Sequence, residues 1–193
     1  MDLNLIRQLR EETNVSIGEI KSALEEAGGS REKALEILKK RGEILAAKKS
    51  ERAAKSGLID AYTHALGKVG ALVELRCETD FVARNPEFKN LAHDLGMQIV
   101  AMHPLFVKSD EVPDEIIHGE REIFTSQAAD SGKPAHIVNQ IVEGKLKKYL
   151  GEICLLSQPF IKNQDETVQD QINTLISKLG ENITVGRFAR FEI

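Results

Sequence analysis

Near the middle of this chain a strand must hand over to a helix across a very short connection, and few folds tolerate both demands. Ala71, Val73, Leu75 and Cys77 alternate with Leu72, Glu74, Arg76 and Glu78, the period of two that marks a strand with one buried face. Asn85, Pro86 and Glu87 then read as a helix start: Asn at the cap, Pro where an N–H has no partner anyway, and an acid at the positive end of the dipole. The residues between, through Arg84, have room for a tight connection of at most one helical turn. Asp80 and Arg84 stand at i,i+4 and are able to brace each other, leaving Phe81 aimed elsewhere. Taken alone, a Phe beside a strand usually packs into its own core.

The rest of the chain supplies partners for that strand. Residues 57–62 and 69–78, joined through Leu66, Gly67 and Lys68, read as a β-hairpin. The helix starting at Pro86 carries Phe88, Leu91, Ala92, Leu95, Ile99 and Met102 at helical spacing and stops at His103 and Pro104. Further helices begin near Pro113 and Pro134. Thr167 and Asp170 bracket another start, with Val168, Ile172, Leu175, Ile176 and Leu179 inside and Gly180 as the stop. Residues 182–193 read as a closing strand with Ile183, Val185, Ala189 and Phe191 on one face.

Ahead of the hairpin, residues 1–42 read as three short helices. Leu5, Ile6 and Leu9 make an apolar stripe, and Ser16 with Glu19 makes a capping box ahead of Ile20, Ala23, Leu24 and Ala27. Gly28 and Gly29 stop that helix; Ser30 caps a third, with Ala34, Leu35 and Leu38 buried and Gly42 as its end. The arrangement resembles the ubiquitin-associated fold, which implies a docking module. The expected fold is α+β: an N-terminal three-helix bundle of that kind in residues 1–42, a basic linker helix in 43–55, and a core in 56–193 with a small antiparallel sheet packed by helices.

Composition excludes several classes. At 41% hydrophobic and 29% charged, the chain is too apolar for disorder and long enough for one core with a small satellite. The start Met1-Asp2-Leu3-Asn4 has no basic leader, and no stretch approaches the roughly 18 apolar residues of a membrane span; a soluble cytoplasmic protein is expected. Cys77 and Cys154 are far apart in apolar settings, which reads as two reduced core thiols and leaves a bridge between two chains open. Net charge is −4, yet Lys39, Lys40, Arg41, Lys48, Lys49, Arg52 and Lys55 outnumber Glu43 and Glu51 in one stretch. Without interleaved aromatics it reads as a solvated linker helix, and no direct nucleic-acid contact is expected.

Motifs of covalent chemistry are missing from the sequence. It has no Walker loop, no dinucleotide fingerprint, no His-Glu-x-x-His and no paired Cys spacing. His64, His93, His103, His118 and His136 are scattered, so no metal or other cofactor is expected. His93-Asp94 is the nearest approach to a reactive pair. Cys77 as the nucleophile of a thiol enzyme is an alternative, but on the apolar face of a strand a thiol stays protonated and inert. The reading is an interaction protein and not an enzyme.

The run from Gly70 through Glu78, followed by Thr79-Asp80-Phe81-Val82-Ala83-Arg84, resembles the signature of elongation factor Ts. The resemblance covers the whole chain in order: Leu9-Arg10-Glu11-Glu12-Thr13, Lys21 through Gly29, Ala34 through Gly42, Ser131-Gly132-Lys133-Pro134, Ile141 through Leu146, Gln158-Pro159-Phe160, and Arg187 through Ile193. It implies a guanine nucleotide exchange factor for elongation factor Tu, in its GDP-bound and nucleotide-free states. It also implies that Asp80 and Phe81, with Thr79 and Val82 in the same loop, intrude beside the partner's Mg²⁺ and phosphate region. Two departures stand out. Members commonly have a Gly-rich entry and a Met pair where this chain has Asn14-Val15-Ser16-Ile17-Gly18. The chain also resembles the short form, with one strand-hairpin module where longer members have two and add a projecting helical hairpin. A single module implies pairing with a second copy, a two-fold homodimer. The competing reading is a non-catalytic adaptor or scaffold whose bundle docks other proteins.

Overall fold

The computed structural model describes residues 2–13, 15–129 and 134–193. Met1, Asn14 and the Ser131-Gly132-Lys133 stretch quoted above lie outside the described residues.

The anticipated hairpin forms. Strand β1 (Ser56–His64) pairs antiparallel with β2 (Val69–Cys77), from Ser56 opposite Cys77 to His64 opposite Val69. The turn between them places Ala65 and Gly67 at positive φ, 43° and 77°. Strand β5 (Ile183–Glu192) pairs antiparallel with the other side of β2, giving the order β1-β2-β5.

One residue breaks the simple alternation of β5. The register slips between Glu74 and Leu75, which stand opposite Arg187 and Val185, so Gly186 is extra. A β-bulge of this kind shifts the parity of everything beyond it. Ile183 and Val185 face the core as expected, but Phe188 then packs inward and Arg190 reaches the Val100 carbonyl, while Ala189 and Phe191 are exposed. The single face expected for Ile183, Val185, Ala189 and Phe191 is therefore corrected: strict alternation would have turned Arg187 inward, and the bulge keeps that cation beside Glu74 at 2.9 Å. A Cβ on Gly186 would stand 2.8 Å from Arg76 Nε, so a larger residue in the bulge would have to displace the Arg76 side chain.

Three helices, labelled here α1 (Leu3–Thr13), α2 (Ile17–Glu26) and α3 (Arg31–Lys49), precede the sheet. Ile6, Leu9, Ile20, Ala23, Leu24, Ala27, Ala34 and Leu38 form their shared apolar cluster. Ser16 accepts from the Glu19 amide at 3.3 Å, but the Glu19 carboxylate takes the Ser16 hydroxyl instead of the cap's backbone N–H, so only half of the expected box forms. Ser30 caps α3 as expected, accepting from the Lys33 amide.

Gly42 does not end the third helix, and the following helix does not reach Lys55: α3 runs unbroken to Lys49. A mid-helix Gly costs about 1 kcal/mol relative to Ala, and here it lies against a neighbouring helix. A Cβ at Gly42 would lie 3.2 Å from the Ser177 hydroxyl of α8 (Val168–Leu179), and one turn earlier Lys39 bonds Asp170 of α8 at 2.9 Å. Ala46, further along α3, joins the main core.

A one-turn helix, α4 (Asp80–Ala83), leads to α5 (Pro86–Met102). Asn85 accepts from the Glu87 amide at 2.8 Å to start α5, and His103 ends it in the left-handed region. Phe88, Leu91, Ala92, Leu95 and Ile99 bury against Ala71, Val73, Leu75 and Cys77 of β2; Met102, expected on the same stripe, is exposed. Helix α8 begins with the full reciprocal box between Thr167 and Asp170, at 3.1 and 3.0 Å, and ends at Gly180 with φ 79°.

Helices α6 (Asp114–Ala129) and α7 (Ala135–Ile153) pack on each other, joined by an Arg121–Glu143 ion pair and the edge-on rings of Phe124 and Tyr149. A helical hairpin, expected only in longer relatives, is thus part of this chain. At its root Gln158 donates to the Glu152 and Met102 carbonyls and accepts from Gln98, tying α7, α5 and a short unanticipated ladder of β3 (Pro159–Phe160) and β4 (Asn163–Thr167) together.

Candidate functional site

The connection between β2 and α5 folds as the single helical turn α4. Val82 and Ala83 bury into the main core and fix the base of the turn. Phe81 points the other way and is 87% exposed, against the usual fate of a Phe. Thr79 and Asp80 are exposed beside it, so of the four expected site residues three face solvent and Val82 anchors them. The side-chain brace expected between Asp80 and Arg84 is not made; these two residues meet only through the Arg84 amide and the Asp80 carbonyl, 3.2 Å apart. An exposed i,i+4 pair is worth only a few tenths of a kcal/mol, too little to hold two long side chains in one place.

What holds the turn instead comes from the far end of the sequence. Glu181 Oε2 accepts from the backbone amides of Glu78 at 3.1 Å and Thr79 at 2.9 Å, and Glu181 Oε1 accepts the Thr79 hydroxyl at 2.6 Å. Thr79 occupies the N-cap position of α4 yet makes no capping bond with its side chain; its hydroxyl is turned toward Glu181, to which it donates. In return Glu78 Oε1 accepts from the Asn182 amide at 2.7 Å, with Arg52 at 3.6 Å. Asn182, itself buried, donates to the carbonyls of Arg52 and Ser50 at 2.7 and 3.4 Å. Sequence reasoning found neither Glu181 nor Asn182; the only local hint is an acid and an amide following the Gly stop of a helix.

The other candidate chemistries lose their parts. Cys77 is fully buried, and burial, then the Glu181 charge, push its thiol above the ordinary range; its sulfur donates to the Thr79 carbonyl at 3.2 Å. Cys154 is likewise pushed up, chiefly by burial. Both thiols are free. His93 and Asp94 do not pair: His93 faces Asp60 at 3.4 Å and the edge of Tyr62, while Asp94 binds Lys162 at 2.7 Å. Among the described residues no group of three or more His, Cys, Asp and Glu side chains is arranged to hold a metal ion, and no helix is long and apolar enough to cross a membrane.

The basic stretch is also dismantled. Lys39 is engaged by Asp170, Arg41 by Glu26 and Ser22, Arg52 by Glu78, and Lys49 is buried.

On the open face of the sheet, Leu72 lies between Ala61 and Ala189, with Ile59 and Phe191 on its diagonals. Ile59, Leu72 and Phe191 are 67%, 45% and 68% exposed, an apolar centre bounded by the Glu74, Arg76 and Arg187 ion pairs.

The sequence profile of one protein family, described as Elongation factor TS, matches residues 4–175. Proteins named Elongation factor Ts are similar over nearly the whole chain. That of Carboxydothermus hydrogenoformans is 51% identical over 98% of this chain and 87% of its own length. That of Thermotoga petrophila is 51% identical over 100% and 96%, and that of Rubrobacter xylanophilus 50% identical over 97% and 96%. With a profile spanning most of its length and relatives this similar from end to end, the chain belongs to the elongation factor Ts family.

Proposed function

We propose that this chain speeds GDP release from elongation factor Tu by inserting the 79–82 turn beside the partner's Mg²⁺ and phosphate site. Membership of the family makes it a factor of translation elongation, a guanine nucleotide exchange factor serving elongation factor Tu. The observation that carries the finer reading is the Phe81 ring, almost wholly exposed on a turn whose base is buried. A large apolar ring held in water by a fixed backbone is a surface waiting for a partner.

An exchange factor acts by preferring the empty state of its GTPase, and only that difference weakens nucleotide binding. Each tenfold loss of nucleotide affinity needs about 1.4 kcal/mol of coupling, and the nucleotide weakens the factor equally. Burying one Phe contributes about 1.5–3 kcal/mol, so Phe81 supplies one to two decades. Asp80, exposed beside the ring, is placed to redirect donors around the ion, and neither residue makes or breaks a covalent bond. The N-terminal helices, as a docking module, contribute affinity more than displacement.

Stopped-flow release of labelled GDP tests this. Phe81→Ala should lower the maximal release rate by about tenfold or more while still binding the partner. Release at the wild-type rate would remove the wedge and favour the adaptor reading.

The open sheet face supports a homodimer. Antiparallel sheets commonly leave one face to solvent, but that face is normally polar; here its centre is Ile59, Leu72 and Phe191. A two-fold axis through Leu72 would set this patch against itself. Leu72→Glu should shift a dimer to monomer in sedimentation velocity at micromolar concentration; a wild-type chain that sediments as monomer alone and with its partner would refute the pairing.

A further inference from the structure

We propose that Glu181 is the positioning residue of the 79–82 turn, its carboxylate fixing the direction in which Phe81 leaves the molecule. The inference rests on the reading of that turn as the exchange element. Regular pairing of β2 with β5 ends at Cys77 opposite Ile183. Continued in register, the next pairs would be Glu78 with Asn182 and Thr79 with Glu181. These residues do bond, but through side chains: the Glu78 and Thr79 amides go to the Glu181 carboxylate and the Asn182 amide goes to the Glu78 carboxylate. Two carboxylates thus replace the backbone carbonyls of the next ladder rungs. The substitution lets the two strands separate, so that α4 can swing out, without leaving amide donors unpaired at the point of departure.

Glu181 is well placed to act as a fixed point. It follows Gly180, whose left-handed conformation ends α8, and it precedes Asn182, which is buried and bonded to the Arg52 and Ser50 carbonyls. A carboxylate between a helix end and a buried Asn has little freedom. Thr79, by contrast, is exposed, donates its hydroxyl to Glu181 and makes no capping bond to α4. The first residue of the turn is therefore oriented by Glu181, and its last, Val82, with the following Ala83, by the core. Phe81 lies between these two attachments. Loosening one of them leaves the ring present but undirected, and a reacting or wedging group misplaced by an ångström loses much of its effect.

The test compares full-length variants by release of labelled GDP from elongation factor Tu across a range of factor concentrations. Glu181→Ala should lower the maximal rate about tenfold, equivalent to about 1.4 kcal/mol, with little change in the half-saturating concentration. Glu181→Gln, whose amide oxygen still accepts from the Glu78 and Thr79 amides, should recover most of that rate. Hydrogen exchange should quicken at the Glu78 and Thr79 amides of Glu181→Ala while the Cys77 and Ile183 amides keep their protection. A changed half-saturating concentration with an unchanged maximal rate would overturn the proposal, because Glu181 would then be a contact and not a positioning residue. A wild-type maximal rate for Glu181→Ala alongside a slow Phe81→Ala would overturn it while leaving the turn's function intact. Wild-type rates for both would sink the underlying reading. Where Glu181→Ala fails to fold, Thr79→Val removes only the hydroxyl bond: a maximal rate lowered about threefold or more supports the proposal, and an unchanged one overturns it.

Discussion

The turn of α4 and the first turn of α5 are consecutive in the chain, each presents one phenylalanine, and the two rings have opposite fates. Phe88 is fully buried under the sheet, whereas Phe81 is 87% exposed. The difference lies in what surrounds each. Phe88 begins a stripe at helical spacing that continues through Leu91, Ala92, Leu95 and Ile99 against β2, so its burial is decided by the whole helix. Phe81 stands on a helix of four residues whose core-facing positions are already taken by Val82 and Ala83. A turn that short has only one buried side, and the ring is on the other. Apolarity alone does not assign a residue to the core; the available face of its element does.

The contrast can be broken or sharpened by urea denaturation. Phe88→Ala should show the largest effect, a loss of about 3–5 kcal/mol, and a loss below about 1 kcal/mol would mean that α5 is not the lid of the sheet. Asp170→Ala should cost about 1–2 kcal/mol, since it removes half of the α8 capping box and the Lys39 bond. Burial tends to raise the Asp170 carboxyl, but the Thr167 amide bond, the Lys39 ammonium and the Thr167 hydroxyl outweigh it and hold it below the ordinary aspartate range. A carboxyl depressed in the folded state stabilises above the unfolded value of about 3.9 and loses that contribution as pH falls through the folded value. The gap between wild type and Asp170→Ala should accordingly narrow below about pH 3.9 and be steady from pH 5 to 8; a gap independent of acid would assign it to packing. Phe81→Ala should show the smallest change, within about 0.5 kcal/mol. A larger loss would mean that the ring supports its own fold and would undo the contrast with Phe88.

How much of this was legible depended on the range of the interaction. The alternation of β2, the Asn85-Pro86 start, the Thr167–Asp170 box and the Gly180 stop are written within a few residues of one another, and the structure contains each. The one-turn limit on α4 followed from the same local signals. Gly42 was misleading because its reason is not local: Ser177 on α8 approaches it, and a stop signal became a contact point. The hairpin of α6 and α7 was foreseen as two helix starts but not as a packed pair, since which helices meet is decided by faces and not by caps. Glu181 had no signal at all in the neighbourhood of the turn that it holds. Its role depends on β5 lying beside β2, which no stretch of either strand announces.

The extra residue in β5 decides what the outside of the protein is made of. With Gly186 in place the column of side chains beside Leu72 reads Arg187, Ala189, Phe191. Had the strand kept even step from Val185, that column would have read Gly186, Phe188, Arg190, with Arg187 facing the interior. The extra residue therefore sets which side chains stand beside Leu72 without changing any other letter of the strand, and adding or removing a residue there would rewrite the open face of the sheet far more thoroughly than any single substitution.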